Sequence, residues 1–275
     1  MSLVIESIYR NFYDLMFKLN PKNSVPPAGM MFDKISFNLK GKQRSAAIFV
    51  PENYTPIKEW PLIVFLHGGG VEYKETSIHF ANSQLISVAI NEYNGDFPAI
   101  VLLPLCLGKK VWAHIPAKPI QTEWRLNTFG TESAPNVSDY LTQSIEAVLS
   151  KYNIDQSRIS LTGHSMGGEG AMRYGAINSN KISAIATSAG SAVIVPDDAP
   201  RLAQMNIWMY QGSNDHISTN ELARKTVQEI TNAGGSVMYK ELEGVGHEVG
   251  ENFYHDPQLI DWLVAQRKEK FIAVS

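Results

Sequence analysis

An unbroken apolar run, Pro61-Leu62-Ile63-Val64-Phe65-Leu66, closes on His67 and three glycines, Gly68, Gly69 and Gly70. A strand with one face in water alternates apolar and polar residues, so a strand apolar at every position needs cover on both faces. Similar short runs recur at residues 99–103, 158–162, 182–187, 207–211 and 237–242. Segments with helical spacing lie between and after them, at 78–92, 137–152, 166–177, 219–233 and 257–268. Parallel neighbours need a crossover, so this alternation predicts an α/β fold: a mostly parallel central sheet with helices on both faces. Upstream, residues 35–39 and 45–50 predict an antiparallel hairpin turning at Gly41.

A chain of 275 residues fits one domain of this kind. Residues 1–31 read as an N-terminal helical extension and connector, and 32–275 as the single α/β domain. Apolar residues at 44% and charged ones at 19% are ordinary for a globular protein with a sizeable core. The formal net charge of −3, with no basic run, speaks against a nucleic-acid partner. Cys106 is the single cysteine, which excludes an internal disulfide and a cysteine zinc site; it reads as a small buried hydrophobe. No apolar stretch is long enough for an integral membrane segment. Residues 1–20 mix Glu6, Arg10, Asp14 and Lys18 with apolar positions, the pattern of an amphipathic helix rather than an export signal. That favours a cytoplasmic setting, with secreted or periplasmic settings open if a leader once preceded the chain.

Ser165 stands in Gly163-His164-Ser165-Met166-Gly167, after the strand expected at 158–162 and before the helix expected at 166–177. The bare G-x-S-x-G pattern arises by chance in roughly one chain of this size in ten. Its placement at a strand-to-helix turn raises it, because a sharp turn lifts the serine above the sheet edge and bulky flanking residues would collide there. At such a turn the Met166 backbone N–H, at a helix N-terminus, faces a developing oxyanion. The glycine loop after His67 would supply the second donor from Gly69, with Gly70 as a contributor and His67 orienting the loop.

A serine hydroxyl needs a base, and the base needs a carboxylate to hold its tautomer. Of seven histidines, His247, in a glycine-rich loop after the last expected strand, is the candidate base. His164 adjoins the serine along a sharp turn and should point elsewhere; His79 and His255 fall in or near helices. Asp215 follows the strand at 207–211 and completes the chain order Ser, Asp, His. Asp197 and Asp198 are the alternative acids. Asp256 and Asp261 read as caps or solvated charges, and Glu169 as structural or on a polar helix face.

These residues together resemble the esterase and predicted-peptidase branch of the α/β-hydrolases, related to feruloyl esterases, polyhydroxybutyrate depolymerases and phospholipase/carboxylesterases. The resemblance runs over residues 54–266 and is most specific at 60–70, Tyr152-Asn153-Ile154-Asp155, 158–168, Gly244-Val245-Gly246-His247 and 256–263. It implies the α/β-hydrolase fold, a triad of Ser165, Asp215 and His247, and no cofactor and no metal.

The expected function is a serine hydrolase cleaving small-molecule carboxylic esters, of feruloyl or short-acyl type, through an acyl-enzyme. The alternatives are a serine peptidase with the same triad and a non-catalytic binding protein on the same fold. Residues 106–135 form a long stretch without a clear period, and Trp112, His114 and Trp124 within it are candidates for a substrate pocket. Loop aromatics packed into the core would look the same. Oligomeric state is not legible.

Overall fold

The computed structural model describes residues 31–69, 96–106, 137–190 and 197–268, together with Leu85, Val88, Glu92, Tyr93 and Trp112. The N-terminal helix expected over 1–20 lies outside them. So does the helix expected at 78–92, apart from three helical positions, Leu85, Val88 and Glu92, with Tyr93 helical just beyond it.

The chain enters the sheet through a hairpin of β1 (Met31–Leu39) and β2 (Lys42–Val50), paired from Met31↔Val50 to Leu39↔Lys42. Lys40 and Gly41 make the turn with φ of 51° and 80°, both left-handed. Two consecutive left-handed residues match the twist of the flanking strands. The Gly41 N–H donates to the Asn38 side-chain oxygen at 2.9 Å.

Six further strands follow: β3 (Trp60–Leu66), β4 (Ile100–Leu103), β5 (Ile154–His164), β6 (Ala184–Ser188), β7 (Asn206–Gly212) and β8 (Met238–Leu242). The spatial order is β1-β2-β4-β3-β5-β6-β7-β8. Only β1 with β2 and β2 with β4 are antiparallel; from β4 to β8 every pair is parallel. The helices are α1 (Ser138–Lys151), α2 (Met166–Ile177), α3 (Ala199–Leu202), α4 (Asn220–Asn232), α5 (Gly250–Tyr254) and α6 (Leu259–Ala265).

Strand β3 bears out the reasoning from its composition, for all seven of its residues are buried. Leu62, Val64 and Leu66 join one core with Leu141, Ile145 and Val148 of α1 and Ala171, Met172 and Tyr174 of α2. Ile63 and Phe65 join the other, with Leu85, Val88, Phe253, Tyr254, Leu259, Ile260 and Leu263. The period of two thus feeds two separate cores from one strand. The outermost parallel strand, β8, has no fully buried residue.

The expected last helix ends early. Gln266 turns extended, Arg267 reaches the Asp155 carboxylate at 2.7 Å, and the Lys268 N–H donates to the Ser157 carbonyl at 2.7 Å. The chain gives up the last turn of the expected helix to strap itself onto the start of β5. Asp155 also accepts from Arg158 Nε at 2.7 Å and from the Ser157 hydroxyl at 2.6 Å. Burial acts to raise its pKa, but the bonds from Ser157 and Arg158 prevail and hold it at about 2. The stabilisation is therefore full above the unfolded carboxylate value near 4 and is lost as pH falls through about 2. Asp155→Ala should cost about 1–3 kcal/mol in urea unfolding at pH 7, with the difference from the parent closing at low pH.

Candidate active site

Ser165 is the single residue between β5 and α2, with φ of 55° and ψ of −123°. A non-glycine residue persists in so sparse a region only when its surroundings impose it. Here the backbone is pinned from both sides: the Ser165 N–H donates to the Ser188 carbonyl and the Ser165 carbonyl accepts from the Glu169 N–H, each at 3.0 Å. The flanking glycines are required by contact. A Cβ on Gly167 would sit 1.8 Å from the Leu66 carbonyl oxygen, and one on Gly163 would sit 2.5 Å from the Gly167 carbonyl carbon. The start of α2 therefore lies directly on the end of β3.

His247 reaches the serine from the loop after β8. It opens the short 3-10 turn His247–Val249 after β8. The Ser165 hydroxyl lies 2.9 Å from Nε2, and Nδ1 lies 2.8 Å from Asp215 Oδ2. An ionised carboxylate only accepts, so Nδ1 carries the hydrogen and Nε2 of the neutral ring is left to accept from Ser165.

Asp215 stands three residues after β7 and is buried. Its Oδ1 accepts from the Ile217 and Ser218 N–H groups at 2.8 and 2.9 Å; its Oδ2 accepts from His247 and from the Gln211 amide at 3.1 Å. Burial pushes the carboxyl pKa up, but the bonds from His247, Ser218 and Ile217 outweigh it and hold the group ionised, below its ordinary value. The loops that carry Asp215 and His247 are stitched together. Ser213 N–H donates to the Leu242 carbonyl, Asn214 N–H to the Val245 carbonyl, and Gly244 N–H to the Ser213 hydroxyl.

The glycine loop lies beside the serine, since a Cβ on Gly68 would come within 3.8 Å of the Ser165 Cβ. His67 is buried behind it. Its Nε2 accepts from the Cys106 N–H at 3.0 Å, so its Nδ1 carries the hydrogen and donates to the Gly68 carbonyl at 2.8 Å. Burial pushes its pKa down to about 4, so the ring stays neutral. Met166 is the first residue of α2, where a backbone N–H has no intrahelical partner. Gly69 lies at the described edge of the loop and Gly70 lies outside the described residues.

The other candidates separate by position. Trp112, one of the three candidate pocket residues, is fully buried, and its indole N–H donates to the His67 carbonyl at 2.9 Å. A Cβ on Gly170 would come within 2.3 Å of the Trp112 side chain, so this tryptophan packs on α2 behind the glycine loop. His114 and Trp124 lie outside the described residues, as does His79. Asp198 forms a buried ion pair with Arg173 of α2, and Asp197 is exposed. Asp256 accepts from the Gln258 N–H at 3.0 Å ahead of α6 and from the Tyr210 hydroxyl; Asp261 is exposed. Glu169 is buried, in keeping with the structural one of its two readings, and Cys106 is buried as expected.

Two residues escaped the sequence reading. Gln211 touches the acid, and the only hint was an amide inside an otherwise apolar strand. His164 does not point away from the site: its ring lies 5.0 Å from that of His247, with Nδ1 3.0 Å from the Ser188 hydroxyl. Burial, then the neighbouring His247, push its pKa to about 3, so it adds no charge. Among the described residues no group of three His, Cys, Asp or Glu side chains could hold a metal ion, and no helix is long and apolar enough to cross a membrane.

Sheet order and the turn at Ser165 define an α/β-hydrolase fold. Residues 38–263 match the family described as "Putative esterase". The chain belongs to that esterase family of hydrolases. A thermostable esterase is 26% identical with a TM-score of 0.70, over 86% of this chain and 63% of its own, so the present chain spans less than two thirds of it. A ferulic acid esterase from Anaeromyces mucronatus, solved with ferulic acid, is 17% identical (TM-score 0.60; 90% of this chain, 95% of that one). An S-formylglutathione hydrolase from Agrobacterium tumefaciens is 15% identical (TM-score 0.61; 91% and 100%). These last two share the fold. No functionally curated protein matches the sequence.

Because backbone meets backbone at the elbow, Gly167→Ala cannot be absorbed by a rotamer change. It should destabilise the protein by more than about 3 kcal/mol in urea unfolding, or prevent folding.

Proposed function

We propose that the chain hydrolyses carboxylic esters through a covalent acyl-enzyme on Ser165. The observation that carries this reading is the continuous relay from Asp215 through His247 to the hydroxyl of a serine held at φ 55°. Ser165 Oγ bonds to the ester carbonyl carbon while its proton passes to His247 Nε2. Asp215 holds the ring and stabilises the imidazolium. The Met166 and Gly69 N–H groups receive the oxyanion, each donor contributing on the order of 10²–10³ in rate. The tetrahedral species collapses, the C–O bond breaks, and the alcohol leaves with the proton from His247. Water then gives a proton to His247 as its oxygen attacks the acyl carbon; the C–Oγ bond breaks, Ser165 Oγ takes the proton from His247, and the acid departs.

The substrate is a small carboxylic ester, and acetyl, butyryl and hydroxycinnamoyl esters are the acyl groups to compare. His114 and Trp124 are the proposed pocket aromatics; with Trp112 assigned to support, Trp124→Ala should alter acyl preference while Trp112→Ala should lower stability.

Ser165→Ala should reduce hydrolysis of a chromogenic short-chain ester by a factor on the order of 10⁶, and Asp215→Asn by about 10⁴ through the wrong imidazole tautomer. A fluorophosphonate should label the parent at Ser165 and leave Ser165→Ala unlabelled. Undiminished turnover by Ser165→Ala would refute the assignment.

A further inference from the structure

Gln211, the penultimate residue of β7, is 1% exposed, and its amide nitrogen is committed on all sides. It donates to the Ser218 carbonyl at 2.6 Å and to Asp215 Oδ2 at 3.1 Å, with the Gly212 carbonyl at 3.4 Å. Its carbonyl oxygen is buried with no hydrogen-bond partner among the described residues. Leaving an amide oxygen unpaired in the interior is costly. The orientation is retained because only the nitrogen can serve an ionised carboxylate and a carbonyl together. An apolar side chain would fill the same strand position without that cost, as Ile207 and Met209 do on the same strand.

We propose that Gln211 is a positioning residue for the acid–base pair: its amide closes the loop over residues 212–218 and shares the Asp215 oxygen that faces His247. The inference rests on the reading of Asp215 and His247 as acid and base given above. Each of the two hydrogens that Oδ2 receives withdraws electron density from it. Gln211 therefore tempers the attraction of that oxygen for the His247 proton and sets how readily the ring protonates. Oδ1 stays fixed by the Ile217 and Ser218 N–H groups, so losing the amide changes the charge felt by His247 before it changes the carboxylate's position.

Few other groups bear on this pair. His164 presents its neutral ring from the elbow, 5.0 Å from that of His247. The Glu248 carboxylate is turned onto the Gly246 N–H at 3.2 Å, and His216 is exposed beside the acid.

The test is the pH dependence of kcat/KM on a chromogenic acetyl ester for Gln211→Met, close to glutamine in volume but without a donor, and for Gln211→Leu. Without the donor, Asp215 should favour the protonated ring more strongly. The acid limb should then move to higher pH by about half to one unit, with kcat lowered and KM little changed. Thermal melting and fluorophosphonate labelling identify which variant is folded. An acid limb at the parent's pH in either folded variant overturns the proposal, because a merely structural role lowers the melting temperature and leaves the limb in place. Failure of the underlying reading looks different: the parent would resist the fluorophosphonate, or Ser165→Ala would retain turnover.

Discussion

The site depends on one close approach, that of the start of α2 to the end of β3. Gly167 lies so near the Leu66 carbonyl that no side chain fits between them, and Gly163 is equally confined from the other side. With both flanks held by backbone contact, the residue between them is forced to φ 55°, and its hydroxyl leaves the sheet where the glycine loop of β3 also ends. Ser165 and the loop are therefore positioned by the same event, the packing of α2 across adjacent strands β5 and β3. Trp112 extends this support. It fills the space above Gly170 and ties to the His67 carbonyl, linking helix, loop and strand end in one packed unit.

Electrostatics around the relay are kept simple by burial. His67 and His164 both flank the site, and desolvation holds both neutral. The buried charge at the core of the site is the Asp215 carboxylate, and its desolvation is offset by four hydrogen bonds, two of them from backbone N–H groups that cannot titrate. One anion facing one imidazole is the arrangement that most favours a proton arriving on that ring, and among the described residues Asp215 forms no second ion pair.

What could be read from the sequence follows from how local each cause is. Strand β3 was legible because burial on both faces writes itself into every residue, and Ser165, Asp215 and His247 because each follows a strand at a turn whose chemistry is local. The hairpin turn at Lys40 and Gly41 was legible for the same reason. The exchange of the last helical turn for the Asp155 strap was not, because its cause lies 112 residues away along the chain. Trp112 was ambiguous for a related reason: an aromatic in an aperiodic stretch carries no pattern that separates a pocket wall from a prop. Gln211 was passed over because a single amide in an apolar run gives no sign of its partner until the loop closes on it.

The two halves of the site are held by different means. Ser165 and the glycine loop belong to β5 and β3, central strands buried on both faces, and are placed by packing. Asp215 and His247 follow β7 and β8, and β8 is the outermost and least buried strand of the parallel set. Packing alone cannot place a side chain carried by such a strand to within a few tenths of an ångström. The hydrogen bonds from Ser213, Asn214 and Gly244, and the Gln211 amide beneath them, supply what burial does not. The 2.9 Å contact between His247 and Ser165 thus reports the relative placement of four strands. Its weakest support is polar, which is why the residues that matter beyond the triad are to be sought in the loop after β7 and not in the central core.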